Sequence, residues 1–573
     1  MSAYTCSLTS LEHPLSLYIM FVRTVKRKNT ENLGVQIVES YRNSQGKPRQ
    51  RIVRNMGSAP PGDALKELVR IAEIEKQKLL HNKKPSLFPP DTMAKIVIES
   101  RRRKQESKPL PIANARLLKE HKRLTVGFHE VFGELYSQLG FDRVWGARHR
   151  MSARLFEQAV MMRLAAPGQS KSAHARLSAG HGVEVSVEKF YRMMDGVDEK
   201  RIDFLQRIVS REVMGLLGGK VDVVFFDVTT LSFASEEEDS LRRKGWSKDG
   251  KPHRVQVVLA LVQTKEGLPT GYELFAGNTA DVSTLEPVLE RLGERFDIDG
   301  VVVVADAGMA SEDNIRELES RGCDWVVAAR LRKLGKKSLN EVVNWEQWRE
   351  VGDGRKVGDL DIGGRRLVLR HCASRARKDA LDREVAVEKA AKRLSEGIKG
   401  SGRRGRYLKV EKGSVSISEE AIRRDEQFDG LHGVWTSLER EKHSAEEVYR
   451  HYAELWRIEE GFRVMKHTMA VRPVFHWTQR RVRAHVAVCF AAFAMLRILR
   501  WKHNRSHPAQ ESLSEQTILR ELGNVEVSLL RDEGNGKQYL VPSSSTKTQR
   551  LLYATAGCRL SGETVPVDQP LRL

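Results

Sequence analysis

Cysteine is scarce in this chain and shows no metal-binding pattern. Five cysteines occur among the 573 residues, namely Cys6, Cys323, Cys372, Cys489 and Cys558. Their number is odd and no two form a C-x2-C pair, which excludes a zinc ribbon and indicates a reducing cytosol. Histidine offers no alternative, because His253, His467 and His476 lack the spacing of zinc ligands.

Long apolar segments are also missing. The apolar stretch at 486–496 is too short to cross a bilayer and is flanked by arginines, so it predicts a buried helix. The N-terminal run HPLSLYIMFV lacks a preceding basic segment and a small-residue cleavage site, which argues against a signal peptide. Met20, directly before FVRTVKRK, is an alternative start. We therefore expect a cytoplasmic protein without membrane association.

Acidic residues are outnumbered by basic ones. The 97 Lys and Arg residues against 75 Asp and Glu residues give a formal net charge of +22 and a pI near 9.7. This balance predicts a polyanionic partner, and the charge alone does not separate DNA from RNA. The length indicates several domains.

The first 218 residues fall into two parts. Residues 22–55 alternate apolar and polar around SQGK, which predicts a β-hairpin with a basic face. Residues 62–106 predict a charged helix that ends in RRRK, and the pattern from about 117 to 217 is helical with breaks at APGQSK and GHGVEVS. We expect a basic N-terminal DNA-binding region and linker at 1–110 and a helical region at 111–218.

From residue 219 the pattern changes to a β-β-β-α-β-α-β order. Strands are predicted at 221–227, 254–263, 271–276, 300–306 and 324–329, with helices at 283–296 and 311–321. This is the ribonuclease H-like α/β layout, in which the fourth strand lies beside the first and parallel to it. Residues 331–426 interrupt it and are interpreted as an insertion domain, and FDGLHGVWTSL predicts one more strand. The predicted core thus occupies 219–330 and 427–500, followed by a C-terminal tail at 501–573.

Three acidic residues stand out in this core. Asp227 ends the predicted strand VDVVFFD, Asp306 ends the predicted strand GVVVVAD, and Glu459 lies in the helical segment YAELWRIEEGFRVMK. The topology makes the two aspartates neighbours at one sheet edge. Acids in this arrangement suit a pair of Mg²⁺ ions that clamp a phosphodiester. With the net positive charge, they point to DNA.

The face on which Glu459 lies follows from helical geometry. On a helix over 446–469, the buried stripe holds Leu455, Ile458, Phe462, Met465 and Met469. Glu459, Tyr452, Arg463 and Lys466 lie on its shoulder, and Arg457, Glu460 and Val464 lie on the far face. This placement favours Glu459 over Glu460 as a metal ligand. The alternative is an ordinary amphipathic helix with an exposed Tyr–Glu–Lys ladder.

Several blocks together resemble a known family. Tyr452, Glu459 and Lys466 match Y-x2-R-x3-E-x6-K, and Leu455 stands at the arginine position. FDVTTLSF, GWSKDGKPHRVQ, FAGNTADVSTL, DAGMAS and IEEGFRVMKHTMAVRPVFHW occur in the family's order. The chain resembles the DDE transposases of bacterial insertion sequences, in the insertion sequence four superfamily. The similarity covers roughly 220–330 and 427–495, and the basic N-terminal part more loosely.

The resemblance implies a function, cofactors and partners. It implies that Asp227, Asp306 and Glu459 bind two Mg²⁺ or Mn²⁺ ions and catalyse cleavage and strand transfer at the ends of the chain's own element. The implied partners are double-stranded transposon ends and target DNA, with a homodimer that pairs the two ends. The implied location is the bacterial cytoplasm, in association with the nucleoid.

Further basic and polar residues are candidate DNA contacts. Tyr452 and Lys466, each seven positions from Glu459, can reach a phosphate or base beside the metals. Arg457 or Arg463 are candidates to replace the missing signature arginine. The loops offer further contacts, for which a solvated loop or an ordinary Gly-Asn turn remains an alternative. The predicted DNA-binding set is Tyr452, Arg463, Lys466, Lys244, Lys248, Asn278, Arg403 and Arg404.

Two other functions remain open from the sequence. A catalytically inactive DNA-binding repressor derived from a transposase would share the basic regions, but would have no need of all three acids. A ribonuclease H-like metal-dependent nuclease would share the acids and differ only in failing to join DNA.

Overall fold

The computed structural model describes most of the chain. The described residues are 19–26, 32–42, 48–83, 115–181, 185–233, 236–247, 254–294, 301–395, 406–411, 414–472 and 474–567. They form two compact units, one built mainly from residues before 121 and the other mainly from 122–529, with parts of the C-terminal segment in each.

The described residues up to Lys83, in the N-terminal unit, form an antiparallel sheet and a helix. Strands β1, β2 and β3 pair in that order, and Met20, Val35, Ile37 and Ala72 are buried in a small core with the helix α1. The predicted hairpin corresponds to β2 and β3, and β1 is a third strand that the alternation did not indicate. The bounds are β1 (Ile19–Lys26), β2 (Leu33–Arg42), β3 (Pro48–Ala59) and α1 (Asp63–Lys83).

A strand and five helices follow. The prediction of helix from residue 117 was wrong at its start, because residues 118–125 form a strand that pairs with a distant strand at Glu526–Asp532. The predicted break at APGQSK is present, and there the Ser170 hydroxyl accepts a hydrogen bond from Ala173 and caps the next helix. The bounds are β4 (Leu118–Thr125), α2 (Gly127–Leu139), α3 (Arg150–Ala165), α4 (Lys171–Ser178), α5 (Val187–Asp195) and α6 (Glu199–Leu216).

The central sheet has the predicted strand order. Its bounds are β5 (Val223–Ser232), β6 (Arg243–Lys244), β7 (Val255–Thr264), β8 (Pro269–Ala276), α7 (Leu285–Gly293), β9 (Val302–Ala305), α8 (Glu312–Ser320) and β10 (Asp324–Ala328). The strands lie in the order β8-β7-β5-β9-β10, with β5, β7 and β8 antiparallel and β9 and β10 parallel to β5. Every residue of β7 is buried, as expected for a strand covered on both faces. This is the ribonuclease H-like order.

The segment predicted as an insertion extends this sheet. Beyond β10 the order continues β16-β13-β12-β11, with antiparallel pairing throughout, while β14 and β15 form a separate pair. Leu367 and Leu369 of β13 are completely buried. The bounds are α9 (Lys336–Val343), β11 (Arg349–Glu350), β12 (Arg355–Ile362), β13 (Arg365–Cys372), α10 (Ala373–Ser395), β14 (Leu408–Glu411), β15 (Ser414–Ile417), α11 (Glu419–Glu426) and β16 (Leu431–Thr436).

The remaining described residues are folded, including those described from the segment predicted as a tail. Strands β17, β18 and β19 form a four-stranded sheet with β4. Helix α14 is long and apolar enough to cross a membrane, but 94% of its apolar window is buried inside the protein, which makes it a core helix as predicted. The bounds are α12 (Ala445–Ala453), α13 (Trp456–Arg463), a π-helical turn (Val464–Thr468), α14 (Gln479–Ser506), α15 (Glu515–Gly523), β17 (Glu526–Asp532), β18 (Gln538–Pro542), α16 (Lys547–Ala556) and β19 (Val565–Val567).

Candidate active site on the central sheet

The two aspartates follow the last paired residues of β5 and β9. Phe226 of β5 pairs with Ala305 of β9 in parallel register, and the next residues along the chain are Asp227 and Asp306. Paired strands lie about 4.8 Å apart, so the aspartates are close neighbours. The prediction that Asp227 ends its strand was wrong. Strand β5 runs on to Ser232 because β7 stays paired with it, whereas β9 stops at Ala305.

Backbone hydrogen bonds orient both carboxylates. The Oδ1 atom of Asp227 accepts from the Val228 N–H, and that of Asp306 accepts from the Ala307 N–H, each at 2.7 Å. Asp306 also caps a short turn at Ala307–Met309. Its side chain is exposed, and Asp227 is partly buried. The same local contact thus fixes one oxygen of each acid.

The helix of Glu459 is not continuous. The prediction of one helix over 446–469 was wrong, because α12 ends at Ala453 and α13 begins at Trp456. Between them the Leu455 N–H bonds to the Tyr452 carbonyl, a tighter three-residue spacing. After Arg463 the chain widens into the π-helical turn.

These breaks in the helix change which residues of 446–469 are buried at only a few positions. Leu455, Ile458, Phe462, Met465 and Met469 are buried, as the helical angles predict. Val464 was placed on the far face, but it is only 3% exposed, because the chain changes to π-helical geometry there.

The adjacent acids Glu459 and Glu460 have different environments. Glu459 is exposed, and within the described part of the chain it has no hydrogen bond or ion pair. Glu460 forms ion pairs with Arg497 and Arg500 of α14, each at 3.4 Å. The far face of α13 is thus packed against α14 rather than solvated. The carboxylate of Glu460 is engaged there, and that of Glu459 is available.

A glycine lets α13 approach the sheet closely. Gly461 is buried, and a Cβ atom at this position would lie 1.8 Å from the Nε2 atom of Gln263 on β7. Gln263 is itself completely buried. The absent side chain at Gly461 therefore sets the height at which Glu459 stands above the strands.

Tyr452 lies near the three acids. Its ring stacks on that of His432, with centroids 4.9 Å apart and planes at 25°. Burial raises the pKa of the Tyr452 hydroxyl well above its ordinary value, and the negative charges of Asp306, Glu459 and Asp227 raise it further. One hydroxyl group therefore lies within the electrostatic reach of all three carboxylates, and it stays protonated at neutral pH.

The donor chemistry of these acids fits a hard cation. Mg²⁺ prefers oxygen ligands and retains several waters, so it does not need a complete protein cage. Among the described residues, no three His, Cys, Asp or Glu side chains form a ready-made metal cluster. The three acids thus lie in one region, but their side chains are not close enough together to form a metal-binding cluster.

The other predicted contacts lie around this region. Lys466 is partly buried in the π-helical turn, and Arg463 is exposed at the end of α13. Lys244 on β6 and Asn278 after β8 are exposed, and Gly245 packs directly on the Gly277–Asn278 backbone.

The contacts from the loops are farther from the acids or undescribed. Lys244 pairs with Val255, six residues along β7 from Leu261, the partner of Asp227. That offset is roughly 20 Å along the strand. Lys244 can therefore contact a long duplex at a distance from the acids, but it cannot contact the acids themselves. Lys248, Arg403 and Arg404 lie outside the described residues.

The sequence did not single out His432. It belongs to β16, which was predicted, but no motif marks its stacking on Tyr452. A histidine three residues before the partly buried Trp435 was the signal on offer, and it is too common to interpret.

Comparison with known proteins identifies similar structures and a matching family. Solved transposase structures are similar at 12% identity: the piggyBac transposase synaptic complex with hairpin DNA covers 69% of this chain and 76% of its own, with a TM-score of 0.36. The Mos1 mariner paired end complex with Mn covers 45% and 77%, with a TM-score of 0.13. No curated protein matches significantly in sequence.

Two family matches fall on different parts of the chain and together span more than half of it. Residues 218–495 match the family "Transposase DDE domain", and residues 22–83 match "IS1634 family transposase, N-terminal domain". The first match contains all three acids, and the second covers most of β1 and all of β2, β3 and α1. The chain belongs to the DDE transposases of bacterial insertion sequences, DNA-cleaving and strand-transferring enzymes that generally use divalent metal ions.

Proposed function

We propose that Asp227, Asp306 and Glu459 are the catalytic carboxylates of this transposase and hold two Mg²⁺ or Mn²⁺ ions. The observation that carries this assignment is the parallel register of β5 and β9, which makes Asp227 and Asp306 neighbours at one sheet edge. The effect of all three carboxylates on the pKa of the Tyr452 hydroxyl supports the inclusion of Glu459. When bound, two such ions activate an attacking water or DNA 3′-hydroxyl and stabilise the leaving oxygen in an in-line displacement.

The protein side of this chemistry is orientation. Backbone N–H groups hold one oxygen of Asp227 and one of Asp306. Glu459 projects from a helix whose opposite face is tied to α14 through Glu460. The aspartates therefore have limited freedom, and the exposed glutamate supplies the movement needed to close a metal site.

Tyr452 supplies a neutral donor beside these charges. Because its pKa is raised, the hydroxyl keeps its proton and can donate to a phosphate oxygen. Its stacking on His432 limits the orientations of the ring. Arg463 and Lys466 follow Glu459 along the chain and are proposed to bind phosphates beside the scissile bond. Lys244 and Asn278 are proposed to contact the duplex farther away.

The N-terminal unit is proposed to bind the element ends. Residues 22–55 contain nine Lys or Arg and two acidic residues, and Arg49, Arg51 and Arg54 of β3 are exposed. A homodimer would pair the two ends for cut-and-paste transposition, and the protein would associate with the nucleoid.

Labelled DNA that carries the element's terminal sequence tests this function. With Mg²⁺, wild-type protein should cleave at the element boundary and join the released 3′-end to a target plasmid. Binding without cleavage would support the inactive repressor instead, and cleavage without joining would support the nuclease. A lack of any preference for the terminal sequence would contradict the assignment of the N-terminal unit.

A further inference from the structure

A cavity of about 680 Å³ opens beside the proposed active site. Its walls come from β13, α10, β16 and α12 of the catalytic unit, and they include His432 and Tyr449. This volume falls within the range of small-ligand pockets. The cavity is therefore large enough to admit part of a nucleic acid strand.

Arg370 differs from the other arginines in this cavity. The others each lie near a carboxylate: Arg332 and Arg406 near Asp425, Arg375 near Asp379, and Arg383 near Asp429. For Arg370, no carboxylate lies within ion-pair distance among the described residues. Its guanidinium instead lies over the Tyr449 ring, 4.7 Å from the centroid. Within the described residues the other arginine charges each have a carboxylate nearby, whereas the charge of Arg370 has only the Tyr449 side chain beside it.

Arg370 is connected to the catalytic region by direct contacts. On the sheet it stands opposite His432, in the antiparallel register of β13 and β16. The ring of His432 stacks on Tyr452, whose hydroxyl is affected by all three carboxylates.

His432 lies between the Arg370 cation and the Asp306 carboxylate. Burial lowers the pKa of His432, the Arg370 cation lowers it further, and the Asp306 carboxylate opposes both effects. Arg370 and Asp306 thus act on the same imidazole, whose Nδ1 atom is buried without a hydrogen-bond partner among the described residues.

We propose that Arg370 binds a backbone phosphate of the DNA strand held at the active site, and so positions that strand in the cavity. This inference rests on the proposed function. A guanidinium is suited to it, because its planar donors match phosphate oxygens and its face can remain on an aromatic ring. The charge comes from the extended sheet, whereas the signature arginine position on the catalytic helix is occupied by the buried, uncharged Leu455.

The test combines a protein change with a DNA change. Arg370→Gln removes the charge, and Arg377→Gln on α10 is the control, because Arg377 is exposed and does not line the cavity. Duplexes carrying the element's terminal sequence would each contain one neutral methylphosphonate near the scissile bond. Binding would be measured without metal ions, so that the result does not depend on cleavage.

We expect one phosphate position to be specific for Arg370. Neutralising it should weaken wild-type and Arg377→Gln binding roughly 10-fold, the scale of one charged hydrogen bond, and should leave Arg370→Gln unaffected. The slope of log K against log salt should also fall by about 1 for Arg370→Gln on unmodified DNA. Arg370→Lys should recover part of the affinity.

Equal sensitivity of wild type and Arg370→Gln at every position would overturn the inference. Unfolding midpoints, compared with those of Arg377→Gln, would identify a variant that is merely misfolded. If wild type cleaves normally and no phosphate position distinguishes it from Arg370→Gln, the role of Arg370 alone is refuted. Absence of wild-type cleavage refutes the proposed function and leaves the binding result to judge Arg370.

Discussion

The two neighbouring glutamates of α13 should respond in opposite ways to the same substitution. Glu460 belongs to a partly buried ion cluster with Arg497, Arg500 and Glu515, whereas Glu459 has no partner among the described residues. We therefore compare Glu459→Gln, Glu460→Gln and Glu515→Gln. Each replaces a carboxylate by an amide of nearly the same shape.

The distances set the order of the effects. Arg497 and Arg500 approach Glu515 to 2.5 and 2.7 Å and Glu460 to 3.4 Å, and the Glu515 side chain is only 3% exposed. Breaking a buried pair costs about 3–5 kcal/mol, so Glu515→Gln should cost roughly 3 kcal/mol. Glu460→Gln should cost about 1–2 kcal/mol, since its contacts are longer and Glu515 remains. Glu459→Gln should change stability by less than about 0.5 kcal/mol.

Urea unfolding followed by circular dichroism measures these differences. The same preparations should be assayed for DNA cleavage. Glu459→Gln should lose cleavage with stability intact, and Glu460→Gln should lose stability while keeping measurable cleavage. If Glu459→Gln is destabilised as much as Glu460→Gln, the assignment of the two faces of α13 is wrong.

Three further predictions concern packing and buried basic groups. Gly461→Ala should cost roughly 1–3 kcal/mol of stability and reduce cleavage, because its Cβ would overlap the Gln263 side chain. The matched Gly133→Ala, whose Cβ would have no atom nearer than 3.9 Å, should be neutral or slightly stabilising in the same unfolding assay. Burial, together with the nearby Arg163 cation, lowers the pKa of Lys171 to about 7. Lys171→Met should therefore stabilise the protein most below pH 7, with a gain that shrinks up to about pH 10. A gain independent of pH would contradict this. Burial, then the nearby Lys171, Arg163 and Arg481 cations, lower the pKa of His476 to about 3. The unfolded chain therefore binds a proton that the folded protein does not, and this residue should reduce stability by about 1.4 kcal/mol per pH unit as the pH falls from 6.5 to 3. His476→Gln should flatten that slope in unfolding measured at several pH values.

The order of the core strands could be predicted because each strand carries its own signal. VDVVFFD and GVVVVAD are apolar runs bounded by polar residues, and their place in a β-β-β-α-β order sets Asp227 beside Asp306. The point at which β5 ends could not be predicted. That end depends on continued pairing of β5 with β7 after β9 has stopped, which is a property of the partners.

The missed features share the same cause. The sequence LKEHKRLT became strand β4 because β17, some 400 residues later, pairs with it. Glu460 was expected on the far face of its helix, and the sequence did not indicate that α14, from another part of the chain, would pair with it there through Arg497 and Arg500. Arg370 has no motif around it, and its position beside Tyr449 and His432 exists only after β13 and β16 have paired.

The central claim is that Asp227, Asp306 and Glu459 act together through divalent metal ions. Its most direct test is cleavage of end-labelled terminal DNA with Mg²⁺ or Mn²⁺ by wild type, Asp227→Asn, Asp306→Asn and Glu459→Gln, with DNA affinity measured for each. We predict that wild type cleaves at the element boundary only with metal, and that each variant binds DNA as wild type does and cleaves at least about 100-fold more slowly. Cleavage by Glu459→Gln at the wild-type rate would contradict the account, since the third carboxylate would then lie elsewhere.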